Sequence, residues 1–293
     1  MYEKDYLLEY IKNSELRVFS NNIKVRLSKE LVSKYDEGVY TDYLTRFQLE
    51  LDMLMVLKIK LPGNAKPNLY LYIVPDENFI KLLSVPPLFT KDQKGGGRPV
   101  KCYDLDGFNL AYGVSQNLLE NNDDSDSISI NEIHEISHII LGQFLLGNQT
   151  ISEGIAEAFP LYVLNLEERY TEHKNIISTL KQDQIYNMKE LVTKSKNGTY
   201  GNDAIVKNKA CSFRMSYISS YLFVVGILKT IEEKYDFATS DSIQYFLEIL
   251  RKSRCSNEWL IYDIANYLEL PKEQLLEEKK MQLKALNLIV NSK

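Results

Sequence analysis

The segment His134–His138, with the sequence HEISH, constrains this 293-residue chain more than any other feature, since it holds two of only three histidines. Residues at positions i and i+4 of an α-helix lie on one face about one turn apart, so both imidazoles can bind one tetrahedral metal ion. Apolar residues at positions 130, 133, 136, 140 and 144 give the segment helical periodicity. The S-x-x-E pattern from Ser129 predicts the helix start, and Gly147 predicts a stop.

Glu135 follows the first histidine and places a carboxylate beside the predicted metal. A bound zinc ion lowers the pKa of water towards about 7, and a neighbouring carboxylate can then accept its proton. A catalytic zinc site also needs a third protein ligand. Metzincins take a histidine six residues after His138, but positions 141 and 144 hold leucine and phenylalanine where those enzymes have glycine and histidine. Glu153, in the segment Ser152–Phe159, is the predicted third ligand.

HEISH followed by SEGIAEAF resembles the gluzincin clan of zinc peptidases, which has HExxH and a later E-G-x-A segment. The resemblance implies one zinc per chain, bound by His134, His138 and Glu153. It also implies that Glu157, one turn after Glu153, hydrogen-bonds a zinc-binding histidine and fixes its ring. Alternatively, the pattern from Thr150 to Glu153 is a capping box that only starts the second helix.

The segment Tyr217–Leu228 resembles the helix that carries the transition-state tyrosine in aminopeptidase N-like gluzincins. This implies that the Tyr217 hydroxyl donates to the oxyanion that forms during hydrolysis. Tyr221, one turn later, is the second candidate. Because the chain has 20 tyrosines, a core tyrosine with no catalytic role is the alternative for either position.

Residues before the HEISH segment resemble the gluzincin edge strand that pairs with an extended peptide substrate. The substrate-binding residues that this implies are Gly113, Val114, Ser115, Gln116 and Asn117. Gly113 also fits an ordinary strand or turn glycine. Aminopeptidases of this clan carry a glutamate here that binds the free amine, so Gln116 beside Asn117 does not predict obligate aminopeptidase activity.

Three other features receive structural interpretations. His173 is predicted at the end of the second helix, where a histidine complements the helix dipole. The segment Lys94–Pro99 lacks the ending of a phosphate-binding loop, so Gly95–Gly97 predict a mobile surface loop that could bring Arg98 near a substrate carboxylate. The acidic run 121–126 is predicted to be a solvated connection, because it lacks the glycine and terminal glutamate of a calcium loop.

The composition favours a folded enzyme that binds neither nucleic acid nor membranes. The chain is 44% hydrophobic and 26% charged, and its formal net charge is −5. Cys102, Cys211 and Cys255 are odd in number and far apart, as expected for reduced thiols. No signal-peptide pattern or membrane-length apolar run is visible, so the expected location is cytoplasmic. The oligomeric state is not predicted.

Hydrophobic patterning predicts an α+β chain. Residues 2–61 are predicted to be mainly amphipathic helix, above all from Tyr40 to Leu57, and Asn68–Val74 a strand. A short helix from Pro75 to Leu83 and strands between Val100 and Asn117 follow. Later helices are predicted near 129–147, then at 212–234, 240–252, 257–268 and 272–291.

This element order resembles the layout of a gluzincin-like zincin catalytic domain. The resemblance implies a small α/β N-terminal lobe with an antiparallel-edged sheet at 1–127, and an α-rich C-terminal lobe at 128–293. Together with the motifs, it implies a zinc-dependent metallopeptidase that acts on a peptide or protein substrate, for example one dedicated peptide.

Two alternatives remain. One is a zincin-fold binding or regulatory protein with structural zinc, which would not require Glu135. The other is hydrolysis of a non-peptide bond, which the gluzincin site supports in an epoxide hydrolase relative.

Overall fold

The computed structural model describes residues 3–21, 23–34, 37–55, 68–75, 97–100, 109–115, 130–142, 149–163, 171–191, 210–253 and 257–291. Across these residues the protein is mixed α+β and mostly helical, which confirms the predicted class at that level. The chain divides into two compact units, Met1–Ile140 and Leu141–Lys293. The lobe boundary expected between 127 and 128 lies outside the described residues and stays a prediction.

In the residues that the structure describes, the first unit contains a five-stranded sheet and four helices, the last of which, α4, continues two residues past Ile140. In chain order these elements are α1 (Glu3–Lys12), β1 (Ser14–Val18), β2 (Ile23–Ser28), α2 (Lys29–Lys34), α3 (Glu37–Met55), β3 (Asn68–Val74), β4 (Gly97–Val100), β5 (Asn109–Ser115) and α4 (Ile130–Gly142).

The strand order is β1-β2-β3-β5-β4. The three central strands run parallel, and β1 and β4 are antiparallel to their neighbours, so both ends of the described sheet are antiparallel. Every residue of β3 from Leu69 to Val74 is buried, as expected for a parallel strand that is covered on both faces. The predicted strand Asn68–Val74 is confirmed.

Helix α1 packs against the central strand through aromatic side chains. Tyr6, Leu7 and Tyr10 form one buried cluster with Tyr70, Tyr72 and Val74. The Tyr10 hydroxyl lies 2.6 Å from the Ile73 carbonyl, so the buried phenol has an acceptor. Aromatic burial and a satisfied polar atom therefore fix α1 to the sheet.

The predicted helical character of residues 2–61 is wrong over two segments, because Ser14–Val18 and Ile23–Ser28 are strands. In β2 the buried residues Ile23, Val25 and Leu27 alternate with half-buried ones, which is the two-residue period of a strand. Helix α3 confirms the predicted helix from Tyr40 as far as Met55.

The predicted surface loop at Gly95–Gly97 is wrong from Gly97 onward, since Gly97–Val100 forms β4. Pro99 is tolerated there because β4 is the terminal strand of the described sheet, where a missing N–H costs little. The preceding glycines, and the helix predicted after Pro75, lie outside the described residues.

The second unit is helical in the part that the structure describes. Its elements are α5 (Gln149–Ala158), a π-helical turn (Phe159–Val163), α6 (Thr171–Thr179), a 3-10 turn (Gln182–Gln184), α7 (Ala210–Tyr235), α8 (Thr239–Lys252), α9 (Asn257–Leu268), α10 (Lys272–Leu276) and α11 (Lys280–Asn291). Among the described residues, no helix is both long and apolar enough to cross a bilayer.

Helix α7 forms the centre of the second unit and is buried from Ile218 to Leu228. Two glycines allow close contact between its backbone and neighbouring helices. A Cβ on Gly154 of α5 would lie 2.5 Å from the Ser220 carbonyl oxygen, and one on Gly226 of α7 would overlap the backbone of Met281 in α11. Neither position therefore has space for a side chain.

The single helix predicted over Lys272–Asn291 is wrong, because α10 ends at Leu276 and α11 begins at Lys280. Lys279 has a φ of 54°, which lies in the left-handed region and cannot continue a right-handed helix. Asp236 and Glu269 adopt the same conformation directly after α7 and α9.

Candidate metal centre

Helix α4 places His134 and His138 side by side. Ile133 and Ile136 are fully buried and hold one face of the helix in the core, while both histidines are half-buried. The two Nε2 atoms lie 3.1 Å apart, and the ring planes meet at 81°. The predicted i, i+4 arrangement of the imidazoles is therefore present.

The 3.1 Å separation fits two ligands of one small cation. Two nitrogens bound to zinc at about 2.0–2.1 Å and at a tetrahedral angle lie about 3.3 Å apart. Without a metal, the same distance suits an N–H···N hydrogen bond in which one ring donates and the other accepts. Binding an ion through both Nε2 atoms therefore requires only a small shift of the rings and transfer of the donor ring's proton from Nε2 to Nδ1.

Glu153 completes the cluster. His134, His138 and Glu153 each offer one ligand atom, and these three atoms lie within 4.8 Å of one another. Glu153 is only 8% exposed. This cluster can hold a metal ion, and two imidazoles with one carboxylate are a donor set that zinc accepts among other transition metals.

The position of Glu153 in α5 excludes the capping alternative. The helix already includes Gln149 and Thr150, so Thr150 does not cap it and Glu153 lies beyond its first turn. Ser152 is half-buried and Gly154 faces the backbone of α7, so Glu153 belongs to a well-packed part of the helix.

Glu157 lies one turn after Glu153 and is also 8% exposed. Two buried carboxylates on one helix face disfavour each other unless positive charge or hydrogen-bond donors compensate them. A divalent cation near Glu153 would supply such charge. The hydrogen bond from a zinc-binding histidine to Glu157 stays a prediction.

Glu135 and Ser137 lie between the two histidines and have different environments. Glu135 is half-buried, so its carboxylate is partly accessible to water. Ser137 is buried, and its hydroxyl donates to the Ile133 carbonyl at 2.7 Å, which satisfies it within the helix. The role of Glu135 as general base stays a prediction.

The two candidate tyrosines on α7 differ in burial. Tyr221 is fully buried, whereas Tyr217 is half-buried. Tyr217 precedes Ser220, whose carbonyl faces Gly154, by three residues, or about 4.5 Å along the helix axis. Because Ser220 contacts Gly154, the residue after Glu153, Tyr217 lies about one helical turn from the point where α7 contacts α5. Tyr217 is the better candidate of the two tyrosines, because it is the more exposed one.

The predicted edge position of the strand around Gly113 is wrong. β5 lies between β3 and β4, and Gly113 pairs with Tyr72 on one side and Arg98 on the other, while Val114 pairs with Ile73 and Gly97. A peptide cannot add to β5 there, because β4 takes that side of its backbone. Ser115 pairs with Val74.

Strand addition of a substrate at Gly113 and Val114 is excluded by the pairing with β4. Any other substrate binding by the residues from Gly113 to Asn117 stays a prediction, and Gln116 and Asn117 lie outside the described residues. His173 is in the first turn of α6 rather than at the end of the second helix, so its predicted role at a helix C-terminus is wrong. The predicted acidic connection 121–126 also lies outside the described residues.

The structure adds a buried charged residue that sequence patterns alone do not single out. Arg46 of α3 is 8% exposed and lies 3.2 Å from the carboxylate of Glu132 in the histidine helix. The available signal is its position, because Arg46 lies between the buried residues Tyr43 and Phe47 on the apolar side of α3. Its partner, 86 residues away, could not be read from the sequence.

Functional assignment depends on these residues rather than on relatives. No protein-family model, no curated protein and no solved structure matches this chain.

Proposed function

We propose that this protein is a zinc-dependent metallopeptidase with a gluzincin-type site. The observation that supports this most strongly is the convergence of His134, His138 and Glu153 on one small volume, with Glu135 between the two histidines on the same helix. The residues fit the metal in donor chemistry, in the 3.1 Å spacing of the imidazole nitrogens and in burial.

His134, His138 and Glu153 hold the ion. When bound, zinc supplies Lewis acidity, which polarises a carbonyl group and lowers the pKa of water. Glu135 accepts the proton that the attacking water loses and then delivers it to the departing amine, as a general base followed by a general acid. Glu135 is half-buried, so part of the residue remains exposed to water.

Tyr217 donates a hydrogen bond to the oxyanion that develops on the scissile carbonyl. A donor aimed at that charge stabilises the transition state more than the ground state. Tyr217 suits this role because it is half-buried and lies on the helix that packs against the helix of Glu153. Glu157 orients one zinc-binding histidine through a hydrogen bond.

The number of ligands favours a catalytic site over a structural one. Structural zinc sites use four protein ligands, whereas catalytic sites use three and leave one position for water or substrate. Among the described residues, the cluster supplies three. A structural zinc site would also have no use for the Glu135 carboxylate, so a purely regulatory zinc protein is the weaker explanation.

The proposal is tested by zinc content and hydrolysis in the same samples. Wild type, Glu135→Gln, Glu153→Ala and Glu157→Gln are purified, their zinc is measured by mass spectrometry, and each is incubated with a mixed peptide library with and without chelator. We expect about one zinc per wild-type chain and chelator-sensitive cleavage. Glu135→Gln should keep zinc and lose cleavage, and Glu153→Ala should lose zinc.

Glu157→Gln separates loss of a ligand from loss of ligand orientation, because Glu157 lies one turn from Glu153 on the same helix and is equally buried. Its zinc affinity should fall by about 10–100-fold, less than in Glu153→Ala. Cleavage that survives in Glu135→Gln would contradict the mechanism. Zinc binding without peptide cleavage would favour a different scissile bond or a binding role.

A further inference from the structure

A group of buried charges connects α3 to the back of the histidine helix. Nη2 of Arg46 lies 3.2 and 3.4 Å from the two carboxylate oxygens of Glu132, and its Nε lies 4.0 Å from Glu50. Arg46, Glu50 and Glu132 are 8%, 0% and 3% exposed. The guanidinium carbon also lies 5.1 Å from the ring centroid of Tyr43.

Glu132 and the two histidines project from different sides of α4. At about 100° per residue, Glu132 lies about 140° around the helix axis from the mean direction of His134 and His138. Arg46 therefore contacts α4 on the side away from the imidazole pair. Its own direction is fixed by contacts with Tyr43, Glu50 and Glu132.

The buried charges of Arg46, Glu50 and Glu132 affect the orientation of α4 more than they affect the stability of the fold. The cost of burying two opposite charges largely offsets their attraction, so a buried ion pair is weak support for a fold. A planar guanidinium that contacts several groups at once is directional, however, and restricts the rotation of the helix that carries its partner.

Metal binding is sensitive to the rotation of α4 about its axis, because the imidazole nitrogens must be placed accurately. An imidazole Nε2 lies roughly 6 Å from the axis of its helix, so a rotation of about 10° moves it by about 1 Å. Metal sites tolerate errors of about 0.5 Å in their ligands. A contact that limits the rotation of α4 therefore affects metal binding directly.

We infer that Arg46 is a positioning residue for the metal centre. Through Glu132 it holds α4 at the rotation in which His134 and His138 share one metal ion. This inference rests on the proposed metal-binding role of the two histidines, and it extends the site to a residue on α3.

The test is a titration of metal-free protein with zinc and with cobalt(II), whose visible absorption reports coordination geometry. Wild type is compared with Arg46→Lys, which keeps the charge but cannot reproduce the planar contacts, and with Glu132→Gln, which keeps the shape but loses the charge. Arg17→Lys is the matched control, because Arg17 pairs with Glu15 at 3.5 Å on the exposed strand β1.

When metal-free, we expect Arg46→Lys to melt within a few degrees of wild type. Glu132→Gln should melt lower but still unfold cooperatively, because it leaves the buried guanidinium with Glu50 as its nearby carboxylate. The zinc affinity of both variants should be about 10-fold weaker, at the low end of effects from residues outside the ligand set. Their cobalt spectra should change, and Arg17→Lys should match wild type in both measurements.

Wild-type affinity and an unchanged cobalt spectrum in either folded variant would overturn the inference. Unfolding of both metal-free variants would overturn it as well, because the pair would then serve general stability. If the wild type binds neither metal, the proposed function fails instead, which separates the two failures.

Discussion

Replacement of Gly154 by alanine tests how the helix of Glu153 is positioned. A Cβ at this site would lie 2.5 Å from the Ser220 carbonyl oxygen and 2.8 Å from both the Ser220 carbonyl carbon and Val224 Cγ2. Two of these three atoms are backbone, so no side-chain rotation can relieve the overlap. Helix α5 or α7 must shift to accommodate the methyl group.

Two opposing effects decide the result. Alanine is favoured over glycine inside a helix by about 1 kcal/mol. Overpacking of a close-packed core costs typically about 1–3 kcal/mol, and occasionally more when backbone must move. Since the overlap here approaches 1 Å relative to ordinary contact, we expect a steric cost at the upper end of this range, about 2–3 kcal/mol, and a net loss of stability of about 1–2 kcal/mol.

The assay is urea unfolding of the metal-free protein, followed by a zinc titration. Gly38→Ala is the matched control, because Gly38 lies in α3 and a Cβ there would meet nothing within 4 Å. The control should be neutral or more stable by up to about 1 kcal/mol. Gly154→Ala should be less stable and bind zinc more weakly, because α5 carries Glu153. A Gly154→Ala variant as stable as the Gly38→Ala control would refute the close packing of these helices.

Three further predictions concern single side chains. Tyr217→Phe should lower kcat by about 10²–10³-fold without changing zinc affinity, whereas Tyr221→Phe should leave kcat unchanged, and steady-state kinetics of both variants checks the assignment. Asp236→Gly should raise the free energy of unfolding by about 1 kcal/mol, because Asp236 has a φ of 53° that glycine adopts without strain, and no gain in urea unfolding would contradict this. The hydrogen bond with Tyr235, together with burial, raises the pKa of Tyr245 to about 12. Above the ordinary tyrosine pKa of about 10, ionisation therefore favours the unfolded chain, and the free energy of unfolding should fall as pH rises. In Tyr245→Phe this fall should be less steep, which unfolding measured at several pH values will check.

Local patterns were sufficient to predict the histidine helix and the central strand. The spacing of His134 and His138 fixes which face of a helix they share, and the run of apolar residues in Asn68–Val74 marks a strand buried on both sides. Glu153 was selected by the resemblance of its segment to the E-G-x-A segment of gluzincins, and it lies on the next helix, α5. These features depend on neighbours within a few residues.

Features that depend on distant partners could not be predicted. β5 is an interior strand because β4, which comes before β5 in the chain, pairs with the side of β5 that faces away from β3. The Arg46–Glu132 contact joins residues 86 positions apart. The break at Lys279 carries no glycine or proline signal, because a lysine adopts the left-handed conformation there.

Anomalous diffraction at the zinc absorption edge, from crystals of the zinc-loaded protein, would locate the ion and so test whether His134, His138 and Glu153 bind it. We predict one ion at about 2.0–2.2 Å from Nε2 of His134, Nε2 of His138 and a carboxylate oxygen of Glu153. An ion bound elsewhere, or a cluster that stays empty at saturating zinc, would contradict the assignment of a metallopeptidase site.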